Sequence, residues 1–184
     1  MKNKFTDKKT DYTGEQLRSH FIYENFDLQG DAIVSFTGGC TVEEHMVDLD
    51  DKKKKEFIFS EKMLHFLAEH FDTDLETMVL RKRLFISIML EELNRLAGKT
   101  VFKRKDNGIY EKDKKLSVAV ATVSPVSTLM HVGLNILSDN TPIKTSSLSE
   151  HKIDPKKFAI IVMKRYCSEM VSVKISRAKV KAVK

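Results

Sequence analysis

The segment Phe36-Thr37-Gly38-Gly39-Cys40-Thr41-Val42 sets two glycines and a cysteine directly behind an apolar run. Consecutive backbone N–H groups with no side chain in the way can cradle an anion. The same amides can lower a thiol pKa far enough to make Cys40 a nucleophile. A Gly-Gly pair serves equally as an ordinary loop, and Cys40 equally as a small buried hydrophobe. Asn135 lies within the apolar run Leu129 to Leu137. Its amide is costly to bury without hydrogen bonds, so it either braces a site or contacts a ligand. Asn107 precedes Gly108, a pair that also makes a two-residue hairpin turn with no ligand involved.

The histidines, His20, His45, His65, His70, His131 and His151, show no metal-binding spacing. His65 and His70 are five apart, which does not place both on one helical face, and there is no Cys-x-x-Cys pair. No stably bound metal is expected. Glu43, Glu44, Asp48, Asp50 and Asp51 could gather a magnesium ion brought by a nucleotide, or form a solvated acidic turn.

The chain that must position these groups has 184 residues, 41% of them hydrophobic, enough for one domain spanning 1–184 with a substantial core. Its net charge of +6 favours anionic partners without choosing among them. The basic end, Lys179 to Lys184, has sparse aromatic interleaving and no recognised motif, which argues against nucleic acid. Cys40 and Cys167 lie far apart in a chain without a secretory signal, which points to the cytoplasm. No apolar run approaches the roughly 18 to 20 residues of a membrane helix.

The spacing of apolar residues predicts a first helix from Gly14 to Phe26 behind Thr13, then a strand over Ala32 to Phe36 that ends at the glycine loop. Asp50 to Lys55 reads as a charged turn. Ser60 caps a short helix carrying Met63, Leu64, Leu67 and Phe71, and Thr73 or Asp74 opens a long one over Leu75 to Leu96, stopped by Gly98. Strands follow over Thr100 to Lys103, Ile109 to Tyr110, Leu116 to Thr122 and Leu129 to Leu137. Asp154 and Pro155 start a last helix, and Val171, Val173 and Ile175 alternate as a last strand. The fold class is α+β, a mostly antiparallel or mixed sheet flanked by helices.

Arg104-Lys105-Asp106-Asn107-Gly108-Ile109-Tyr110, then Lys115 in Lys-Lys-Leu-Ser-Val-Ala-Val, then His131-Val132-Gly133-Leu134-Asn135-Ile136 follow one another behind the long helix. In this order they resemble the Lys-Trp-Pro-Asn-Asp-Leu-Tyr motif, the lysine strand and the Gly-x-Gly-Ile-Asn strand of the biotin and lipoate protein ligases. Gly108 stands where those ligases have an acidic residue, Val118 where they have a glycine, and the Gly38-Gly39 segment lacks their adjacent arginines. Thr141-Pro142-Ile143-Lys144 lacks the cysteine nucleophile of the related octanoyltransferases. The whole chain also resembles a family of small proteins allied to these ligases, domain of unknown function number 366. Gly14 to His20 and Ser124 to Thr128 are its characteristic stretches.

The resemblance implies a biotin/lipoate ligase-like fold and an adenylate-forming or acyl-transfer enzyme acting on a small carboxylate. It implies ATP with magnesium, an acceptor protein, and is compatible with a homodimer. Lys115 would be the catalytic clamp, because attack of a carboxylate on an α-phosphate builds negative charge on oxygen that a fixed ammonium stabilises. Strand alternation sets Lys115, Ser117 and Ala119 on one face and Lys114 on the other. Gly38, Gly39 and Cys40 would cradle the anion and Asn107 orient the ligand, while Arg18, Arg104, Ser117 and Asn135 would add contacts. The alternative is a non-catalytic module binding a small ligand or partner on the same scaffold.

Overall fold

The computed structural model describes residues 1–43, 45, 47–54, 57–141 and 143–183. Glu44, Lys55, Pro142, Lys184 and the side chain of Asp51, all singled out by the sequence, lie outside the described residues.

Strand β3 is the spine of the fold. Met63 to Leu67 suggested a helix behind Ser60, yet Ile58–His70 is a 13-residue strand. Taking β1 as Lys2–Phe5, β2 as Ala32–Val42, β7 as Ser117–Val123 and β8 as Thr128–Asn135, the main sheet runs β1-β2-β3-β8-β7. β1 is parallel to β2 and the other pairs are antiparallel. Both faces of β3 are covered: Leu64, Phe66 and Ala68 enter one core cluster, Met63 and Leu67 the other. A strand apolar on both faces loses the alternation that would distinguish it from a helix.

Two helices cover the first face. In α3 (Leu75–Ala97) the Asp74 carboxylate accepts the Thr77 amide at 3.0 Å, and Gly98, at φ 68°, ends the helix. In α4 (Pro155–Ala178) Asp154 caps the Lys157 amide at 2.8 Å. Phe66 meets Phe85 of α3 edge-on, ring centroids 5.3 Å apart, and Phe158 of α4 packs on its other side. α4 runs on through Val171, Val173 and Ile175, where the alternation predicted a strand. These side chains are exposed, and a helix already nucleated at Pro155 gains a hydrogen bond per added residue.

The second face lies under the N-terminal segment. Tyr12, Leu17 and Ile22 close over Val34, Phe36, Met63 and Leu67. The predicted helix from Gly14 shrinks to α1 (Phe21–Phe26), because Gly14 and His20 have left-handed backbones, φ 97° and 64°. The buried Glu69 carboxylate accepts the His20 amide at 2.9 Å and the Ser127 hydroxyl at 2.7 Å, tying the Gly14–His20 and Ser124–Thr128 stretches to β3. A short helix, α2 (Leu49–Lys54), precedes β3.

A small antiparallel sheet of β4 (Phe102–Lys105), β5 (Gly108–Glu111) and β6 (Lys114–Lys115) leads into β7. Lys105 pairs with Gly108, so the turn residues are Asp106 and Asn107, one position earlier than the Asn-Gly pair suggests, with the positive φ of 52° at Asp106. Among the described residues no helix is long and apolar enough to cross a membrane.

Candidate functional site

Gly38 and Gly39 do not form a loop. They lie inside β2, where the register against β3 shifts between Gly38 and Cys40. A Cβ on Gly38 would stand 2.0 Å from the Thr10 carbonyl oxygen, so glycine here lets residues 10–12 approach the strand. The Gly39 amide, expected to hold a ligand's anion, donates to Asp11 Oδ1 at 2.7 Å instead. The anion at this amide belongs to the protein itself.

The same approach delivers Tyr12 to the sheet. Its amide donates to Gly39 O and its carbonyl accepts from Thr41 N. Its ring stacks on His131, centroids 3.7 Å apart and planes 13° from parallel. His131 Nε2 lies 3.1 Å from His65 Nδ1, and His65 Nε2 lies 3.2 Å from Gly39 O. Both imidazoles are buried, and desolvation holds them neutral: the His65 pKa falls to about 4 and that of His131 well below its ordinary value. Burial likewise raises the Tyr12 hydroxyl pKa.

Tyr12 and His131 border a cavity of about 640 Å³. Met63 and Val118 supply apolar surface, and the Asp106–Asn107 turn and the cross-strand pair Tyr110 and Lys115 supply polar groups. Gly133 faces Val118 across the β7–β8 pair. A Cβ on it would come within 2.8 Å of Met63 Cε, 3.3 Å of Val118 Cγ2 and 3.4 Å of His131 Cε1.

Lys115 is held by its backbone. Its amide donates to Lys144 O at 3.0 Å, and its carbonyl accepts from Ser146 N at 3.1 Å and from Asn135 Nδ2 at 3.4 Å. Among the described residues no carboxylate pairs with its ammonium. Lys114 turns away to Glu150, 3.7 Å off.

Asn107, Lys115, Ser117 and Asn135 therefore border one cavity. Asn135 also braces, its amide reaching the carbonyls of Lys115 and Ser146. Ser117 Oγ accepts the Ile109 amide at 2.9 Å, joining β7 to β5. Ala119 borders the cavity as alternation requires, but so do Val118 and Val120, because β7 is the edge of the main sheet. Gly38, Gly39, Cys40, Arg18 and Arg104 are not among the bordering residues. Cys40 is buried, which pushes its thiol pKa up to about 12. Arg18 pairs with Glu24, and Arg104 donates to Ser87 Oγ at 3.3 Å.

Asp48 borders this cavity and, with Asp50, a neighbouring one of about 320 Å³ that also meets Lys82. Elsewhere Glu111, Glu150 and His151 bring ligand-type atoms within 4.8 Å of one another. Glu111 already accepts from Ser146 Oγ and contacts His151 Nε2, which together lower its pKa, and Glu150 is taken by Ser138 and Lys114.

Sequence reasoning passed over Tyr12, Ser60 and His131, all on the cavity wall. The histidines did leave a signal: His65 in Met63 to Leu67 and His131 in Leu129 to Val132 each interrupt an apolar run with an imidazole.

The chain is 39% identical over 140 residues to the uncharacterized protein MJ0805 of Methanocaldococcus jannaschii, covering 73% of the chain and 62% of the relative; it thus spans under two thirds of that protein's length. A solved protein of unknown function from Pyrococcus horikoshi is 32% identical with a TM-score of 0.91, covering 99% of this chain and 100% of that one. Biotin protein ligase from Aquifex aeolicus, solved in complex with biotin and ATP, is 17% identical with a TM-score of 0.58, over 91% of this chain and 69% of that one. This last likeness is one of fold, and it agrees with the fold that the motifs led us to expect. Residues 1–181 match one family model, and the chain belongs to the family it describes, the domain of unknown function DUF366.

Proposed function

We propose that this protein binds a small carboxylic acid in the cavity beside β6 and activates it, as an adenylate or for acyl transfer, with Lys115 meeting the carboxylate. One observation carries the reading: Lys115, whose backbone is fixed by hydrogen bonds to Lys144, Ser146 and Asn135, borders a cavity of ligand size, and its ammonium has no ion-pair partner among the described residues. A cation placed before the ligand arrives needs no reorganisation when charge develops. In the activating step a carboxylate oxygen would bond to the α-phosphorus of ATP while the bond to pyrophosphate breaks. Lys115 would offset the charge on the oxygens involved, and Lys105, also on the cavity wall, supplies a second cation for the phosphates. Asp48 and Asp106 are the carboxylates there suited to magnesium. An acceptor protein would then take the acyl group as the acyl–phosphate bond breaks and AMP leaves. The fold likeness to a ligase solved with biotin and ATP supports the same reading.

A second reading, ligand binding without catalysis, is favoured by the Gly39 amide, which is occupied by Asp11. The two readings separate in an ATP–pyrophosphate exchange assay run over a panel of carboxylic acids, beside thermal-shift binding with the same acids. Exchange lost in Lys115→Ala and retained in Lys114→Ala supports activation. Lys115-dependent binding without exchange supports the second reading, and equal effects of the two substitutions reject the role given to Lys115.

A further inference from the structure

The two histidines constrain what else the ligand carries. The Gly39 carbonyl can only accept, so the proton in its contact with His65 lies on His65 Nε2. A neutral imidazole holds one N–H, so His65 Nδ1 is a lone pair. The proton in the 3.1 Å contact between the rings therefore lies on His131 Nε2. That leaves His131 Nδ1 as a lone pair as well. Neutrality is what the surroundings dictate: both rings are buried, and among the described residues neither contacts a carboxylate.

His131 borders the cavity, and among the described residues nothing donates to its Nδ1. Tyr12, stacked on the ring, fixes the ring's plane, and its hydroxyl also lacks a partner among the described residues. Ser60 borders the same cavity, and its buried Oγ is unpartnered too. Buried polar groups left unpaired are costly, by about 1 to 3 kcal/mol each, and ordinarily rare. Ser60 Oγ is such a group, and His131 Nδ1 and the Tyr12 hydroxyl, also without partners among the described residues, border the same cavity beside the apolar surface of Met63 and Val118, which fits a ligand that is polar at more than its carboxylate end.

We propose that the ligand of this cavity carries, besides the carboxylate met by Lys115, an O–H or N–H donor that His131 accepts at Nδ1. A hydroxyl suits the wall best, since it can donate to His131 and accept from Tyr12. The inference rests on the carboxylate reading above and narrows it to acids with a donor away from the carboxyl group. Plain fatty acids are excluded as the preferred ligand.

Two measurements test it. Nitrogen-15 NMR of the unliganded protein at neutral pH reads the tautomer directly: His131 should carry its proton on Nε2, and a proton on Nδ1 overturns the proposal without any ligand or variant. Calorimetry with hexanoate and octanoate, against the same acids hydroxylated at the far carbon, reads the recognition. The hydroxylated acids should bind about tenfold more tightly to the wild type. The ratio should fall to about one in His131→Phe, which keeps a ring and removes the acceptor, while Lys115→Met weakens both series alike. Equal binding of the two series to the wild type, with Lys115 dependence intact, overturns this inference and leaves the carboxylate reading standing. No binding of either series overturns both.

Discussion

Asn135 Nδ2 reaches the carbonyl oxygen of Lys115 at 3.4 Å, so a residue of β8 helps to fix the backbone from which the Lys115 side chain extends. Replacing Asn135 with Ala removes this contact and the one to Ser146 O. Stability should fall by about 1 to 3 kcal/mol in urea denaturation. Carboxylate affinity should fall with it, since Lys115 keeps its backbone bonds to Lys144 and Ser146 but loses the one to Asn135. Asn135→Ala with unchanged affinity for any acid that binds the wild type would separate the brace from the site.

Gly38 predicts a steric result. An added methyl would meet the Thr10 carbonyl at 2.0 Å, backbone against backbone, whereas at Gly39 it would meet Asp11 Oδ1 at 3.2 Å, the end of a side chain that can shift. Gly38→Ala should lose about 3 kcal/mol or fail to fold, and Gly39→Ala should lose clearly less. Denaturation midpoints of the two variants compare them directly.

The buried histidines predict an acid-sensitive fold. His65 has an ordinary pKa near 6.5 when unfolded and about 4 when folded. Between those values the unfolded chain binds more protons than the native one, so stability is complete above about 6.5 and is lost as pH falls toward 4. The loss from His65 alone should be roughly 2 kcal/mol by about pH 5, with His131 adding in the same direction. Melting temperature against pH reads it. A His65→Gln variant, less stable at neutral pH, should show a flatter profile over that window; an equally steep one would place the sensitivity elsewhere.

Cys40 should resist iodoacetamide at neutral pH in the native protein and react once it is denatured, because burial disfavours its thiolate. Rapid alkylation of the native protein, read by mass spectrometry, would contradict the packing of residues 10–12 over β2.

Much of the scaffold was readable in the residues because local signals agreed with the tertiary structure. Asp74 and Gly98 bracket α3, Asp154 and Pro155 start α4, and β4, β5, β7 and β8 follow their turns, while the two-residue β6 was too short to read. Lys115, Ser117 and Asn135 share a cavity with Asn107 because they lie on strands that pair with their chain neighbours, and Asn107 lies in the β4–β5 turn. What escaped depends on long-range contacts. β3 reads as helical because both of its faces are covered, and Val171 to Ile175 read as extended because nothing local shows that no strand lies alongside. The role of Gly38 and Gly39 is set by a segment nearly thirty residues earlier in the chain. Tyr12 and His131, 119 positions apart, meet only once that segment is in place.

Glu69 joins distant parts of the chain in a different way. One carboxylate group takes a backbone proton from His20 and a hydroxyl proton from Ser127, so the stretch before α1 and the β7–β8 connection share an anchor on β3. Displacing Glu69 loosens both, and the two stretches should exchange their amide hydrogens as a single cooperative unit.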